Sequence, residues 1–281
     1  MIKKNDLLMN TLIQISSNPI KENISRSSTY KFVKKITDLL FPENSNVCFD
    51  SVELKSQWEQ LILDMKTILY PIRSKLKSDS NEIANIFFNK LPNIYCLLEK
   101  DAETIFNSDP ASYSVEEIIL AYPGFYAIMI YRLSHQLYLL DIPILPRMIS
   151  EYAHSRTGID INPGAQIGKC FFIDHGSGIV IGETAIIGNN VKIYQGVTIG
   201  ALSVKKENVN KKRHPTIEDN VIIYSGTTIL GGNVIIGHNS IIGGNVWLTE
   251  SVQPYSVVYH NPEIKIRNKK LKSFDQFTFI I

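Results

Sequence analysis

The sequence predicts an α+β protein in which an all-helical N-terminal domain is followed by a parallel β-helix of hexapeptide repeats with one extruded loop. Apolar residues recur at helical spacing in the first half, where glycine is nearly absent. An aliphatic residue recurs every six residues in the second half, and a polar stretch interrupts that repeat. We place the helical domain at 1–155, the β-helix at 156–258 with a loop at 201–215, and a C-terminal tail at 259–281.

Helical periodicity is clearest in two segments of the first half, and the first 20 or so residues show no clear pattern. In the first segment the apolar positions are spaced as on one helix face, at Trp58, Leu61, Ile62, Met65, Ile68 and Leu69. The second segment repeats this spacing at Ile83, Ile86, Phe87 and Leu91.

Two further segments carry helix-start signals. Ser108-Asp109-Pro110 predicts a start with Asp109 as the N-cap and Pro110 at the first helical position. Ser114 predicts a second start, because Glu117 follows three residues later as in a capping box.

A period of six replaces the helical period after residue 155. The aliphatic positions are Ile161, Ile167, Ile173, then after a two-residue offset Ile181, Ile187, Ile193, Ile199, Ile217, Ile223, and after a one-residue offset Leu230, Ile236, Ile242 and Leu248. The fifth position of each hexad is mostly small or branched. Neither a helix nor an ordinary strand has this period, whereas each face of a triangular parallel β-helix does. Chance spacing in a β-sandwich is the alternative.

The repeat breaks between Gly200 and Ile217, where the intervening residues are polar and rich in lysine. Repeat proteins place such insertions in a loop on one face, which is often the functional face. Lys205, Lys206, Lys211 and Lys212 either form a solvated surface or meet phosphate groups of a ligand.

Composition excludes several classes of protein. The 281 residues carry a formal charge of only +2, which is too small to indicate nucleic acid or an anionic membrane as partner. Three cysteines are too few for a disulfide framework. The polar start does not resemble a signal peptide, and the most apolar stretch, 118–133, contains Pro123-Gly124 and Arg132. We therefore expect a cytoplasmic globular protein.

Two of the six histidines stand in a context that suggests chemistry. His175 lies in Asp174-His175-Gly-Ser-Gly, where the hexad pattern slips by two residues, and such slips redirect side chains. Asp160 precedes it by fifteen residues, close to one coil of eighteen, so the carboxylate is expected beside the imidazole. A carboxylate there would fix the tautomer of a general base. His214 lies in Arg213-His214-Pro215, at the end of the loop.

Structural roles account for the other conspicuous polar residues. Asp109 can act as a helix cap with or without a further role. Arg132 and His135 are expected to link the last helix to the first coil. The remaining histidines are expected at the surface or in packing, and they are His154, His238 and His260.

Several segments together resemble the serine acetyltransferase family over roughly residues 105–255. They are Asp109-Pro110-Ala111, Tyr122-Pro-Gly-Phe, Tyr131-Arg132-Leu-Ser-His135, Gly158-Ile-Asp160-Ile-Asn-Pro163, Ile173-Asp174-His175-Gly-Ser-Gly178, Gly182-Glu-Thr184, Tyr194-Gln195-Gly-Val-Thr198 and Arg213-His214-Pro215. The hexapeptides alone are typical of a broader acyltransferase superfamily. The resemblance implies a left-handed β-helix and the transfer of acetyl from acetyl-CoA to the serine hydroxyl.

The resemblance also implies roles for matching positions, and no metal ion is expected in the site. His175 is the expected general base and Asp160 its partner. The expected L-serine-binding residues are Asp109, Asp174, Arg213 and His214. The expected acetyl-CoA-binding residues, small so that the pantetheine can approach, are Gly200, Ala201, Ser225 and Gly244. In the family the site lies between neighbouring subunits.

Partners are expected on the same basis. The family and the need to cover flat β-helix faces favour a homotrimer or a dimer of trimers. The terminal Ile281 matches family tails that insert into O-acetylserine sulfhydrylase, although the preceding Phe277-Thr-Phe-Ile is more apolar than such tails, so packing on this chain is the alternative. Cysteine, nearly isosteric with serine, is an expected feedback inhibitor.

Three other functions remain open from the sequence. A hexapeptide acetyltransferase could act on a sugar, an aminoglycoside or another amino alcohol. A zinc-dependent carbonic anhydrase of the β-helix type needs closely spaced histidines, whereas His135 and His154 are nineteen residues apart. A non-catalytic regulatory paralogue would not need the set formed by Asp160, His175, Arg213 and His214.

Overall fold

The computed structural model describes residues 2–16, 23–44, 49–202 and 211–261, and it confirms the predicted fold class. A helical domain is followed by a left-handed parallel β-helix. The described helices are α1 (Ile2–Ser16), α2 (Arg26–Leu40), α3 (Ser51–Leu69), α4 (Ser80–Ser108), α5 (Val115–Ala121), α6 (Pro123–Leu139) and α7 (Leu145–Thr157). Short 3₁₀ turns lie at Pro42–Asn44 and Tyr70–Lys75.

The periodic segments of the sequence form α3 and the first half of α4. Asp50 and Glu53 close a capping box at the start of α3, and Asp79 caps α4. Most of the predicted apolar positions are buried, among them Leu61, Met65, Phe87 and Leu91, whereas Ile86 is exposed. The unpatterned N-terminal segment also forms a helix, α1, whose described side chains are all exposed.

The two predicted helix starts have different outcomes. Ser114 caps α5 as predicted, while the Glu117 carboxylate accepts the amide proton of Tyr113 rather than that of Ser114. The predicted start at Asp109 is wrong, because Asp109 directly follows the end of α4 and Pro110 lies in a turn. The Asp109 carboxylate accepts the Ala111 amide, a local bond that stabilises a turn as readily as a helix start.

Fourteen short strands of the described residues form three parallel sheets, one on each face of the prism. The strands are β1 (Asp160–Ile161), β2 (Gln166–Ile167), β3 (Phe172–Ile173), β4 (Val180–Ile181), β5 (Ile186–Ile187), β6 (Lys192–Ile193), β7 (Thr198–Gly200), β8 (Thr216–Ile217), β9 (Ile222–Ile223), β10 (Thr228–Leu230), β11 (Ile235–Ile236), β12 (Ile241–Ile242), β13 (Trp247–Leu248) and β14 (Val257–Val258). The first sheet runs β1-β4-β7-β10-β13, the second β2-β5-β8-β11, and the third β3-β6-β9-β12-β14. Successive strands from β1 to β13 therefore lie on successive faces, whereas β14 follows β13 on the third face, with only the Ile236–Val252 bridge on the second face between them.

The hexad residues fill the prism, with one correction to the predicted register. Ile229, not Leu230, is the buried position six residues after Ile223, and it pairs with Ile199. The one-residue offset falls after Ile229, at Gly231. Its φ of 117° is a conformation that glycine adopts readily and other residues rarely do. The extra residue is thus absorbed in a turn, and Ile236 returns to the core.

Buried polar contacts fasten the helices to the first coil. The Arg132 guanidinium in α6 is 5% exposed and donates to both oxygens of Asp101 in α4, at 2.6 and 2.9 Å. It also donates to the carbonyl of Gly168, while Asp101 accepts the Phe171 amide. The His135 ring lies 2.7 Å from the Pro163 carbonyl oxygen. Arg132 and His135 therefore link the helical domain to the first coil, but from α6 and not, as predicted, from the last helix, α7.

Among the described residues, no helix combines the length and the apolar character that crossing a bilayer requires.

Candidate active site

The candidate residues gather at two different corners of the prism. The turn that carries Asp174 and His175 joins the third sheet to the first, and we call it the His175 corner. The turn at 182–185 joins the first sheet to the second and contacts the end of the extruded loop, and we call it the Arg213 corner. Strand β4 lies between the two turns, so one chain does not bring His175 and Arg213 together.

His175 projects from its turn toward solvent. The predicted two-residue slip is present, because the buried positions Ile173 and Ile181 are eight residues apart instead of six. His175 has a φ of 55°, and its side chain is 72% exposed. Its Nε2 lies 3.8 Å from Oδ1 of Asp174, which directly precedes it. The imidazole is therefore accessible to a substrate and adjacent to a carboxylate.

Asp109 adds a second carboxylate to the His175 corner. The Tyr122 hydroxyl donates to Asp109 at 2.7 Å, and the Ala111 amide donates at 2.8 Å. These two hydrogen bonds hold the pKa of Asp109 below its usual value, and the His175 ring contributes in the same direction. The hydrogen bond that the Tyr122 hydroxyl donates to Asp109 raises the pKa of Tyr122 to about 12. Asp109 is thus held ionised at neutral pH, within electrostatic reach of His175.

Asp160 lies in the coil predicted for it but makes no described hydrogen bond or ion pair with His175. The hydrogen bonds and ion pairs of the described residues include none between Asp160 and His175. The Asp160 carboxylate instead lies within 4.8 Å of a carboxylate oxygen of Glu151 and a ring nitrogen of His154, both on α7. Backbone pairing places Asp160 opposite Val180, in the coil that His175 precedes. The two side chains therefore belong to adjacent coils as predicted, without a direct contact.

Thr184 organises the Arg213 corner. Its hydroxyl oxygen accepts the amide protons of Arg213 and His214, at 2.9 and 3.1 Å. It also lies 2.8 Å from Nδ1 of His214, and that nitrogen accepts the Thr184 amide proton. The end of the loop is therefore fixed on its own prism, and the Arg213 guanidinium pairs with Glu183.

His214 is buried and neutral at this corner. Burial, followed by the charges of Arg213 and Lys212, lowers the pKa of His214 to about 4. Because Nδ1 accepts hydrogen bonds, the single ring proton lies on Nε2 and is available for donation. The ring packs over Gly182, where an added Cβ would lie 2.0 Å from the imidazole. Glycine is required there by this close approach.

The residues expected to bind acetyl-CoA divide between the same two corners. Ser225 and Gly244 lie in the turns that follow β9 and β12, in line below the His175 turn. Glycines with positive φ stack along this edge at Gly178, Gly196 and Gly226, which leaves a strip without side chains that ends at the Asn245 side chain. Gly200 and Ala201 lie at the Arg213 corner, where the loop departs. Lys205 and Lys206 fall outside the described residues.

Three residues at these corners were not predicted as site residues. Tyr122 holds Asp109, Thr184 holds the loop, and Glu183 pairs with Arg213. All three belong to segments on which the resemblance to a family rests. The segments as a whole therefore pointed to the site, although none of these three residues did so alone. Asp101, the buried partner of Arg132, had no signal in the sequence.

Sequence comparison finds relatives of one kind, while no family model matches the chain. A plasmid-encoded serine acetyltransferase of Synechococcus elongatus is 46% identical over 203 residues, which are 70% of this chain and 62% of that protein. This chain therefore spans less than two thirds of that relative's length. A serine acetyltransferase of Bacillus subtilis is 43% identical over 175 residues, covering 62% of this chain and 78% of that protein.

Solved structures agree with the sequence relatives. Serine acetyltransferase isoform 3 of Entamoeba histolytica, in complex with cysteine, superposes with a TM-score of 0.73 at 32% identity and covers 90% of this chain and 87% of its own. Serine acetyltransferase of Neisseria gonorrhoeae, in complex with serine, gives a TM-score of 0.58 at 29% identity and covers 82% and 95%. This chain belongs to the serine acetyltransferase family.

Proposed function

We propose that this protein transfers the acetyl group of acetyl-CoA to the hydroxyl of L-serine, giving O-acetyl-L-serine and CoA. The observation that carries the proposal is the exposed imidazole of His175 flanked by the carboxylates of Asp174 and Asp109. A general base between two anions suits an acceptor that carries both a hydroxyl and an ammonium group. Membership of the family supports this acceptor over a sugar.

The chemistry needs one base and no covalent enzyme intermediate. A ring nitrogen of His175 removes the serine hydroxyl proton while the serine oxygen attacks the thioester carbon. The tetrahedral intermediate collapses, the carbon–sulfur bond breaks, and the imidazolium returns its proton to the CoA thiolate. The Asp174 carboxylate, 3.8 Å from Nε2, faces the positive charge that the ring gains in this step. Asp160 takes part if its side chain turns from α7 toward His175.

Serine recognition divides between the corners according to charge. Asp109 and Asp174 are suited to the ammonium group. Arg213 is suited to the serine carboxylate. Its guanidinium can bind that carboxylate through two parallel hydrogen bonds once it releases the Glu183 side chain. The neutral His214 offers Nε2–H as a further donor. Zwitterionic serine needs both sets of groups.

A shared site reconciles this division with a single substrate. The two corners lie at opposite ends of β4, so a second copy has to supply Arg213 and His214 to the first copy's His175 corner. Three copies packed through their first-sheet faces around a threefold axis would close three such sites. We infer a homotrimer on this basis, with a dimer of trimers through the helical domains as the larger form.

The shared site predicts complementation between two inactive variants. We expect His175→Asn and Arg213→Ala each to lose acetyl transfer, and their mixed trimers to recover about a third of wild-type activity. Each mixed trimer has three sites, and only one of them pairs an unmutated imidazole from one chain with an unmutated guanidinium from its neighbour. The measurement is CoA release by chains co-expressed with distinct affinity tags and purified through both.

The matched control for this experiment mixes the separately purified variants without re-assembly, which should leave activity at background. Restoration in the co-expressed sample alone would support the shared site. If co-assembled trimers stay inactive while both variants still trimerise, then both groups act within one chain and this arrangement is wrong.

Tyr122 provides a test of serine recognition that leaves the base in place. Replacing Tyr122 by Phe should raise KM for serine about 3- to 10-fold, from the loss of about 1 kcal/mol, and leave KM for acetyl-CoA unchanged. The hydroxyl keeps the pKa of Asp109 low, so in the variant Asp109 protonates at a higher pH and the defect grows as the pH falls. Tyr113→Phe is the control, because Tyr113 lies nearby and is 90% exposed. An unchanged KM for serine across the pH range would exclude this role.

Acetyl-CoA is proposed to lie along the strip without side chains below His175. Ser225 and Gly244 border this strip, and Gly200 and Ala201 of the neighbouring copy would form its opposite wall. The backbone amides exposed by the glycines suit the pantetheine amides, and a thioester there reaches the His175 turn.

Further ligands follow from the relatives. We propose that cysteine competes with serine, supported by related enzymes solved in complex with cysteine. Docking of Ile281 into O-acetylserine sulfhydrylase stays a prediction from sequence, since residues 262–281 fall outside the described ones. A cytoplasmic location fits the low cysteine content.

A further inference from the structure

The last two turns of α7 carry a histidine and a carboxylate that the proposed reaction does not use. Glu151 and His154 are three residues apart on one helix face, and Nδ1 of His154 lies 3.1 Å from Oε2 of Glu151. Arg147 pairs with the other oxygen of Glu151, Oε1. Both side chains are between 40% and 45% exposed, so solvent reaches them.

The chain reversal after α7 brings a third donor to this face. Gly158 ends the helix in the left-handed conformation, with its amide bonded to the His154 carbonyl. Two residues later, Asp160 begins β1. One oxygen of its carboxylate and one potential ligand atom each of Glu151 and His154 all lie within 4.8 Å of one another. The described hydrogen bonds give the Asp160 carboxylate no partner of its own.

These distances suit a small divalent cation. Two ligand atoms about 2.0 Å from a tetrahedral zinc ion lie about 3.3 Å apart, close to the observed 3.1 Å between Nδ1 and Oε2. A Glu-x-x-His pair on one helix is a known way to direct two ligands at one ion. Asp160 reaches the same point by a side-chain rotation, and water completes the fourth position.

We propose that Glu151, His154 and Asp160 form a binding site for a divalent transition metal ion, with Zn²⁺ as the ion that best fits one imidazole and two carboxylates. The ion takes the place of the hydrogen between Nδ1 and Oε2, and the neutral imidazole then carries its single proton on Nε2. The site is separate from the His175 corner and from the Arg213 corner.

Occupation of this site has a consequence that rests on the proposed function. Asp160 is the expected partner of His175, and a carboxylate bound to a metal ion cannot turn toward the imidazole. Zinc bound at α7 should therefore inhibit acetyl transfer without touching serine or acetyl-CoA.

Direct binding tests the site independently of any reaction. Isothermal titration of the metal-free full-length protein with ZnCl₂ should give one tight site per chain. His154→Gln should weaken that site at least about 10-fold, because one of three ligands is lost. His260→Gln is the matched control, because His260 is an exposed histidine outside the cluster. Circular dichroism should show that both variants keep the wild-type fold.

Equal zinc affinity of the wild type and His154→Gln would overturn the proposal. So would a site lost in His175→Gln but kept in His154→Gln, because zinc would then bind at the His175 corner. Loss in Asp160→Asn and in Glu151→Gln, as well as in His154→Gln, would support all three ligands.

Inhibition gives the second measurement. Zinc should inhibit CoA release by the wild type and by His260→Gln over the concentration range in which it binds, and His154→Gln should be resistant. If no variant acetylates serine, the proposed function fails while the titration still decides the metal site. If serine is acetylated and zinc binds at α7 without inhibiting, then Asp160 has no part in the reaction.

Discussion

Replacing His175 by Asn should lower kcat for CoA release in the presence of L-serine by about 10²- to 10⁴-fold, the usual contribution of a positioned general base. Asparagine is chosen because His175 has a φ of 55°, which asparagine tolerates better than alanine does. The side chain is 72% exposed, so its loss should leave the core intact. The measurement is thiol release from acetyl-CoA, with serine and with threonine, homoserine or a sugar as acceptor.

His238→Asn serves as the control, because His238 lies at a different corner, packed on Tyr255. It should retain wild-type kcat. If His175→Asn stays within about threefold of wild type, the base is elsewhere and the proposed mechanism is wrong. Release with a sugar but not with serine would leave the base in place and replace the acceptor.

The second large effect concerns stability. Asp101→Asn should destabilise the protein by about 3–5 kcal/mol, because it leaves the Arg132 guanidinium buried without a countercharge. Arg132 is 5% exposed and Asp101 is fully buried, and the pair joins α4 and α6 to the first coil of the β-helix. The measurement is the midpoint of urea unfolding by circular dichroism, at one protein concentration for all variants.

An exposed ion pair provides the matched control. Lys77 and Asp141 lie 2.8 Å apart with side chains 74% and 61% exposed, so Lys77→Met should change stability by less than about 1 kcal/mol. The double variant Asp101→Leu/Arg132→Met removes both charges and should be more stable than Asp101→Asn alone. If Asp101→Asn is no more destabilised than Lys77→Met, the buried pair does not hold the two domains together.

Much of the fold follows from local patterns in the sequence. A helix or a β-helix coil buries residues at a fixed period, so the spacing of the apolar residues predicts both α3 and the β-helix. The error at Leu230 has the same origin, because Ile229 and Leu230 are both aliphatic and one extra residue in a turn shifts the pattern. Asp109 was misassigned because Asp-Pro begins a turn as readily as a helix.

The sequence by itself determined the fold class, the position of the loop, and the candidates His175, Asp174 and Arg213, because periodicity and short motifs are local properties of the chain. Only the tertiary structure decided which candidates meet. The Asp101–Arg132 pair joins residues 31 apart, and Asp160 lies beside His154 because a glycine reverses the chain after α7. Such contacts depend on which faces and corners become neighbours, and no local pattern contains that information.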